Sequence, residues 1–360
     1  MKIAQVAPLI ERVPPPMYGG VELIVGELVE GLHNKGYEVT LFATGDSICP
    51  QKLVSVVASA MRGKPRREIW KYEFLQAAKL IEMSDDFDII HCHFGPNIFP
   101  WGWIVDLIEK PIVFTLHCRL DLPELKKIYN ETDLFKRCYH VSISNDQRTP
   151  LPEAHYVATV YNGIEVEKYP FNDKKEDFLI FLGRSSPEKG IVEAIKIAKK
   201  AKQKLMVLTK VDPVDEEYFT KEVKPLIDGN DIVLIGEVPF KEKVSWLSKA
   251  KAMLFPIQWK EPFGLVMIEA MACGTPVIAP RRASVPEIVV DGTTGFIVSV
   301  ENMIDEMVEK IKEIKKINPM DCRLHVEKNF TADKMVNEYL KVYEKILKLH
   351  KPFSLIEKIW

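Results

Sequence analysis

A strand-then-helix alternation runs through the first half of this chain, lapses, and begins again. The opening residues 2–7 read as a buried-type strand, followed by a proline-rich loop over 13–20. A helix then starts near Val21, where Val21, Ile24, Val25, Leu28, Val29 and Leu32 recur at helical spacing on one face. Gly36 ends it, and 37–43 is the next strand. The pattern predicts a helix near 70–83 and strands over 88–92, 112–117, 138–142 and 155–160. Around 161–177 it turns polar and charged, as a linker would. It restarts with a strand over 177–182, a loop over 183–190 and a helix over 191–202. Strands over 205–209, 232–235, 252–256, 276–279 and 295–298 follow, with amphipathic helices between them. Such alternation predicts parallel sheets covered by helices on both faces.

The fold class is therefore α/β, with two Rossmann-like doubly wound domains facing a central cleft. The expected domains are residues 1–165 and 166–340. The tail over 332–360 reads as helical, and its segment over 341–360 is expected to dock on a domain, crossing back to the first, because Phe353, Leu355, Ile356, Ile359 and Trp360 would not suit a solvated tail. In doubly wound sheets, ligands bind at the carboxyl ends of the strands, so chemistry belongs there.

At 360 residues and 47% hydrophobic content, the chain has material for two cores. Its net charge of −2 provides no basic field for nucleic acid. Runs such as Lys64-Pro65-Arg66-Arg67 read as solvated surface. The six cysteines lack a disulfide-framework spacing, which suits a reducing, cytoplasmic setting. The start reads as a strand and not as a signal peptide, and no apolar run is long enough to span a membrane. An aromatic patch at 99–103 leaves room for peripheral membrane contact, although an acceptor-lining or packed loop is the plainer reading.

Four motifs bear chemistry. Between Pro262 and Pro280 the chain is almost wholly apolar, interrupted by one charge, Glu269, with Glu261 just before the run. Phe263, Gly264, Leu265 and Val266 would offer free N–H groups at a helix start, an anion site best suited to phosphate. Glu269, further into that helix, suits a diol, and Glu261 another hydroxyl. The plainer alternative makes Glu261 a helix-start acid and Glu269 a buried salt-bridge partner. The second motif, Gly183-Arg184-Ser-Ser-Pro-Glu-Lys189-Gly190, sets two cations on a strand-to-helix loop and suits a diphosphate. The third, Gly19-Gly20 at the first strand-to-helix turn, permits backbone contact with phosphate or sugar but is not a dinucleotide fingerprint. In the fourth, His91, His93 and His117 stand near strand ends. Without metal-type spacing, His117 reads as a substrate or transition-state contact, or as a satisfied structural histidine.

These motifs together resemble the retaining glycosyltransferases of family 4, which have the GT-B fold. Glu261 and Glu269 resemble that family's Glu-x7-Glu motif, and 183–190 its Gly-Arg-x4-Lys-Gly loop. Residues 18–22 resemble its amino-terminal glycine loop, and 161–164 its inter-domain signature. The resemblance implies a metal-independent enzyme, without cofactor, that moves a sugar from a UDP-, GDP- or ADP-sugar to a hydroxyl acceptor. It implies that Arg184 and Lys189 neutralise the diphosphate and that Glu269 holds the ribose. Glu261 would contact the donor sugar, with Gly183, Pro262, Phe263, Gly264, Leu265 and Val266 around it. His117 would lie beside the reacting sugar, and Gly19 and Gly20 near the diphosphate. A nucleotide-sugar epimerase, a glycoside hydrolase and a non-catalytic nucleotide or sugar binder are the rival readings.

Overall fold

The computed structural model describes residues 1–17, 19–95, 101, 104, 107–131 and 138–350. The chain forms two compact units. The first takes in Met1–Pro15, Gly19–Gly163 and the chain from Ala332 onward, and the second is built from Ile164–Thr331.

In the first unit, strands β1 (Lys2–Val6), β2 (Glu38–Phe42), β3 (Lys52–Val54), β4 (Ile89–Phe94), β5 (Ile112–Leu116), β6 (Tyr139–Ser142) and β7 (Tyr156–Thr159) form one sheet. Its order is β3-β2-β1-β4-β5-β6-β7, and every pairing is parallel. Helices α1 (Gly20–Asn34), α2 (Arg66–Glu82), α3 (Pro123–Glu131) and α4 (Asn145–Arg148) lie in the connections. Strand β4 is buried along its whole length. Its period of two sends Cys92 and Phe94 into a hydrophobic core with Phe114, while His91 and His93 face the other way, their rings tilted against each other at 3.9 Å between centroids.

The second unit repeats the plan. Strands β8 (Glu176–Arg184), β9 (Leu205–Lys210), β10 (Ile232–Leu234), β11 (Ala250–Leu254), β12 (Val277–Pro280) and β13 (Gly295–Val298) run in the order β10-β9-β8-β11-β12-β13, again all parallel. Helices α5 (Ile191–Ala201), α6 (Glu216–Tyr218), α7 (Phe240–Lys249), α8 (Leu265–Ala272), α9 (Val285–Ile288), α10 (Met303–Glu313) and α11 (Pro319–Asn329) complete it. Counted from its own first strand, this is the doubly wound order 3-2-1-4-5-6. The order reverses between β1 and β4 in the first unit and between β8 and β11 in the second. Ligand crevices open at the carboxyl ends of the strands at such points.

The last helix, α12 (Ala332–Leu349), belongs to the first unit. Its Tyr339 hydroxyl lies 3.1 Å from Thr115 Oγ1, and its Tyr343 hydroxyl accepts from Gln5 Nε2 at 3.0 Å. Val336 packs so close to Gly31 of α1 that a Cβ there would lie 2.5 Å from Val336 Cγ2. This corrects the expected boundary at 340. The crossing starts at Ala332, because α12 is one continuous amphipathic helix whose buried stripe begins at Met335 and Val336. The apolar tail over 353–360 lies outside the described residues, as does most of the aromatic patch at 99–103. Trp101 of that patch is fully buried and stacks on Phe94 at 4.7 Å between ring centroids.

Two further differences have local causes. Helix α2 starts at Arg66, directly after Pro65, where charged residues hide the apolar period. The edge strand β3 has only three residues and is half-buried or exposed, so it leaves no alternating signature.

Candidate active site

In the second unit the site is built from two loops, those leaving β8 and β11. Gly190, at the start of α5, has φ +75°, and a Cβ there would lie 2.0 Å from the carbonyl oxygen of Pro256. Glycine thus lets one loop lie flat on the other. The Gln258 N–H donates to Glu188 O at 2.9 Å and joins them further. By contrast, a Cβ at Gly183 would meet only ordinary contact with Phe181, at 3.5 Å, so the first glycine of the motif is not forced by packing.

The joined loops bring opposite charges together. Lys189 Nζ donates to Glu261 Oε2 at 2.6 Å. Trp259 Nε1 donates to the same oxygen at 2.7 Å, and the Lys189 ammonium stands 5.0 Å from the Trp259 ring centroid. Arg184 Nη2 donates to Glu188 Oε1. Arg184 Nε lies 2.9 Å from Asp215 Oδ2 as an ion pair, without hydrogen-bond alignment. Burial pushes the Asp215 carboxyl above the usual range; Arg184 opposes this, while Glu188 and Asp212 reinforce it.

Helix α8 starts beside these pairs. Gly264 is its N-cap at φ +84°, where a Cβ would lie 2.6 Å from Met267 Cε. The buried Ser284 hydroxyl lies 2.9 Å from both Glu261 O and Phe263 O, so it pins the loop from behind and does not line the site. Pro262, Phe263 and Gly264 are buried, and Leu265 and Val266 half-buried. A helix start of this kind presents N–H groups without an intrahelical partner.

Glu269 is 3% exposed, as a lone charge in an apolar helix should be. Its polar company is protein: Lys243 Nζ at 2.6 Å and the Tyr169 hydroxyl at 3.0 Å, both donating to Oε1. Among the described residues, Oε2 has no such donor. The salt-bridge alternative thus holds at Oε1. Lys243, Tyr169, Trp259, Glu188 and Asp215 contact the candidate residues and were not singled out in the sequence. Lys210, at the end of β9, and Glu237, in the loop after β10, lie 3.4 Å apart as an ion pair.

In the first unit, α1 starts at Gly20 with Gly19 as N-cap; Tyr18 lies outside the described residues. A Cβ on Gly19 would lie 2.8 Å from Pro15 Cβ, so small size is required there. His117 follows β5, and its N–H donates to Phe94 O at 2.7 Å. Its Nε2 lies 3.1 Å from His93 Nδ1. Burial lowers the pKa of His117 to about 3 and those of His91 and His93 well below the usual range, so all three rings are neutral near pH 7. His117 is the one with an exposed edge. Among the described residues, no group of three or more His, Cys, Asp or Glu is placed to hold a metal ion, and none of the helices is long and apolar enough to cross a membrane.

Residues 165–351 match the family described as glycosyl transferases group 1, and 18–168 match glycosyltransferase family 4. An uncharacterized glycosyltransferase of Methanocaldococcus jannaschii is 28% identical, covering 92% of this chain and 96% of that protein. A phosphatidyl-myo-inositol mannosyltransferase of Mycobacterium leprae is 24% identical, with 96% and 97% covered. An Anabaena protein, whose crystal structure is a complex with UDP and glucose, shares the fold at a TM-score of 0.72 and 16% identity, with 96% and 100% covered. The chain belongs to the group 1 glycosyl transferases, and is a family 4 glycosyltransferase of the GT-B fold.

Proposed function

We propose that this glycosyltransferase takes a hexosyl group from a UDP-, GDP- or ADP-sugar and passes it to a hydroxyl acceptor, with retention of configuration and without a divalent metal. The observation that carries the reading is the Lys189–Glu261 contact of 2.6 Å between the β8 and β11 loops, beside Arg184 and the start of α8. As the glycosidic bond breaks, charge builds on the leaving diphosphate. Arg184, Lys189 and the α8 N–H groups are the donors that would meet it, doing a cation's work. Lys243 and Tyr169 fix the Glu269 carboxylate, so Oε2 would accept from the ribose hydroxyls. Glu261, held by Lys189 and Trp259, would orient the donor sugar, and His117 would act as a substrate contact. No side chain is assigned as a nucleophile; same-face attack by the acceptor, with its proton passing to the departing phosphate, accounts for retention.

A panel of UDP-, GDP- and ADP-sugars scored for melting shift and slow donor hydrolysis tests this. At least one should raise the melting temperature, by linkage of binding to stability, and be hydrolysed. Glu269→Ala or Arg184→Ala should remove most of the shift. No shift with any nucleotide defeats the donor assignment; a shift without turnover, whatever acceptor is offered, makes the protein a binder.

We also infer that the enzyme works in the cytoplasm in peripheral contact with lipid. The exposed face of α2 sets Arg66, Arg67 and Lys71 around Trp70, Phe74 and Leu75, which are 42%, 48% and 53% exposed. Flotation with phosphatidylglycerol vesicles that Lys71→Glu does not weaken would count against this.

A further inference from the structure

The half-buried His117 is the open end of a chain of sealed polar groups in the first unit. His117 Nε2 lies 3.1 Å from His93 Nδ1, and His93 Nε2 lies 2.8 Å from Gln5 Oε1. Gln5 Nε2 donates to the Tyr343 hydroxyl at 3.0 Å. That hydroxyl lies 2.7 Å from His91 Nδ1, and His91 Nε2 lies 2.8 Å from Thr115 Oγ1. Thr115 Oγ1 lies 3.1 Å from the Tyr339 hydroxyl. Gln5, His91, His93 and Thr115 are fully buried, as are both tyrosines.

Each bond in this chain constrains the next. An amide oxygen only accepts, so His93 must carry its proton on Nε2 to meet Gln5 Oε1. A neutral His93 then has a lone pair on Nδ1, which only a proton on His117 Nε2 can satisfy. A neutral His117 protonated there has its lone pair on Nδ1, which has no partner among the described residues. On the other branch, Tyr343 accepts from Gln5 and so donates to His91 Nδ1, and His91 Nε2–H donates to Thr115. Rotating the Gln5 amide by half a turn would reverse every donor and acceptor along the His93 branch.

We infer that Gln5 and His93 are positioning residues that hold His117 as the Nε2–H tautomer, with Nδ1 presented as an acceptor for a substrate hydroxyl. The fixed tautomer stands on the first unit alone; its use on substrate rests on the glycosyl-transfer reading. The direction is set by the Gln5 amide, whose oxygen faces His93 and whose NH2 faces Tyr343, and not by His117. An acceptor at that position selects a donor sugar or an acceptor molecule with a hydroxyl there, and disfavours a deoxy analogue.

The test is a long-range nitrogen–proton NMR spectrum of the ligand-free full chain labelled with 15N-histidine, with His117 assigned from His117→Gln. The expected result is His117 protonated at Nε2 with the shift of an unprotonated Nδ1, and the same for His93. In Gln5→Leu, which removes the amide, both rings should move towards mixed tautomers while a melting curve reports a folded protein. Hydrolysis of the UDP-, GDP- or ADP-sugar found active should fall about tenfold in kcat with KM little changed, the size of one misdirected hydrogen bond. His93→Gln, whose amide oxygen can still accept from His117, should lose less than His93→Leu. A wild-type His117 protonated at Nδ1, or a His117 tautomer unmoved in folded Gln5→Leu, overturns the assignment. Failure of every nucleotide to bind would instead remove the donor reading and leave these resonances as they are.

Discussion

Glu269 shows how far a single residue constrains its surroundings. A carboxylate at 3% exposure must be compensated, and Lys243 and Tyr169 do so at 2.6 Å and 3.0 Å. The need for a partner was legible in the sequence, but its identity was not. Lys243 lies on α7 and Tyr169 before β8, and nothing local marks either one. The same holds for Glu261, whose helix-start position was visible but whose clamp by Lys189 and Trp259 required the two loops to meet. Breaking a buried pair costs more than the pair contributes, because the remaining charge is stranded. Lys243→Met should therefore destabilise the second unit by roughly 3–5 kcal/mol. Adding Glu269→Gln, which keeps an acceptor for Tyr169 and removes the charge, should recover a large part of that loss. Urea unfolding of both variants measures it. If the single variant is as stable as wild type, the pair does not hold Glu269 in place.

At the level of elements, the strands and long helices were readable because their periods are set by burial. Parallel strands buried on both faces read as runs such as Leu179–Phe181, and α5 reads as an apolar stripe at Ile191, Ala194, Ile195 and Ala198. The Gly183–Gly190 motif was legible as a strand-to-helix loop, yet its two glycines are not equivalent. Gly190 has φ +75° and faces the Pro256 carbonyl, where a Cβ would lie 2.0 Å away, whereas Gly183 has ordinary space. The sequence cannot distinguish them, since the deciding atom belongs to a loop after β11. Gly190→Ala must twist α5 away from that loop, at a cost of roughly 1–3 kcal/mol for the backbone conformation plus the clash. Gly183→Ala should be nearly neutral for stability. Thermal melting separates the two. Because Gly190→Ala pulls Lys189 off Glu261, it should also reduce the melting shift given by a nucleoside diphosphate.

At the scale of the whole molecule, the two sheets share one winding order, and the chain returns to the first unit only after the second is complete. Two domains were legible from the restart of the pattern, and a returning helix from the apolar residues of the tail. The start of the tail helix at 332 was legible too, but the point of return was placed at 340, because the pattern shows a helix and not which unit its first turns pack on. The consequence is unequal dependence on the C-terminal helix. The second unit has its own six-stranded sheet and closes on itself through the Ile164–Thr331 bridge. The first unit lacks Met335, Val336, Tyr339, Leu340, Val342, Tyr343 and Ile346 without α12, all of which are buried. It also loses the Tyr343 hydroxyl that links Gln5 to His91 and the Tyr339 hydroxyl that ends the chain at Thr115, leaving Gln5, His91 and Thr115 buried with partners missing. Large apolar exposure combined with stranded polar groups costs more than a domain's usual margin of ~5–15 kcal/mol can absorb. A chain ended at Thr331 should therefore retain a protease-resistant fragment over 164–331, while the segment before Gly163 is digested. Limited proteolysis with mass spectrometry reads this directly. Equal resistance of both halves would mean that the first sheet is stable without its last helix, and that α12 serves only to hold the histidine chain.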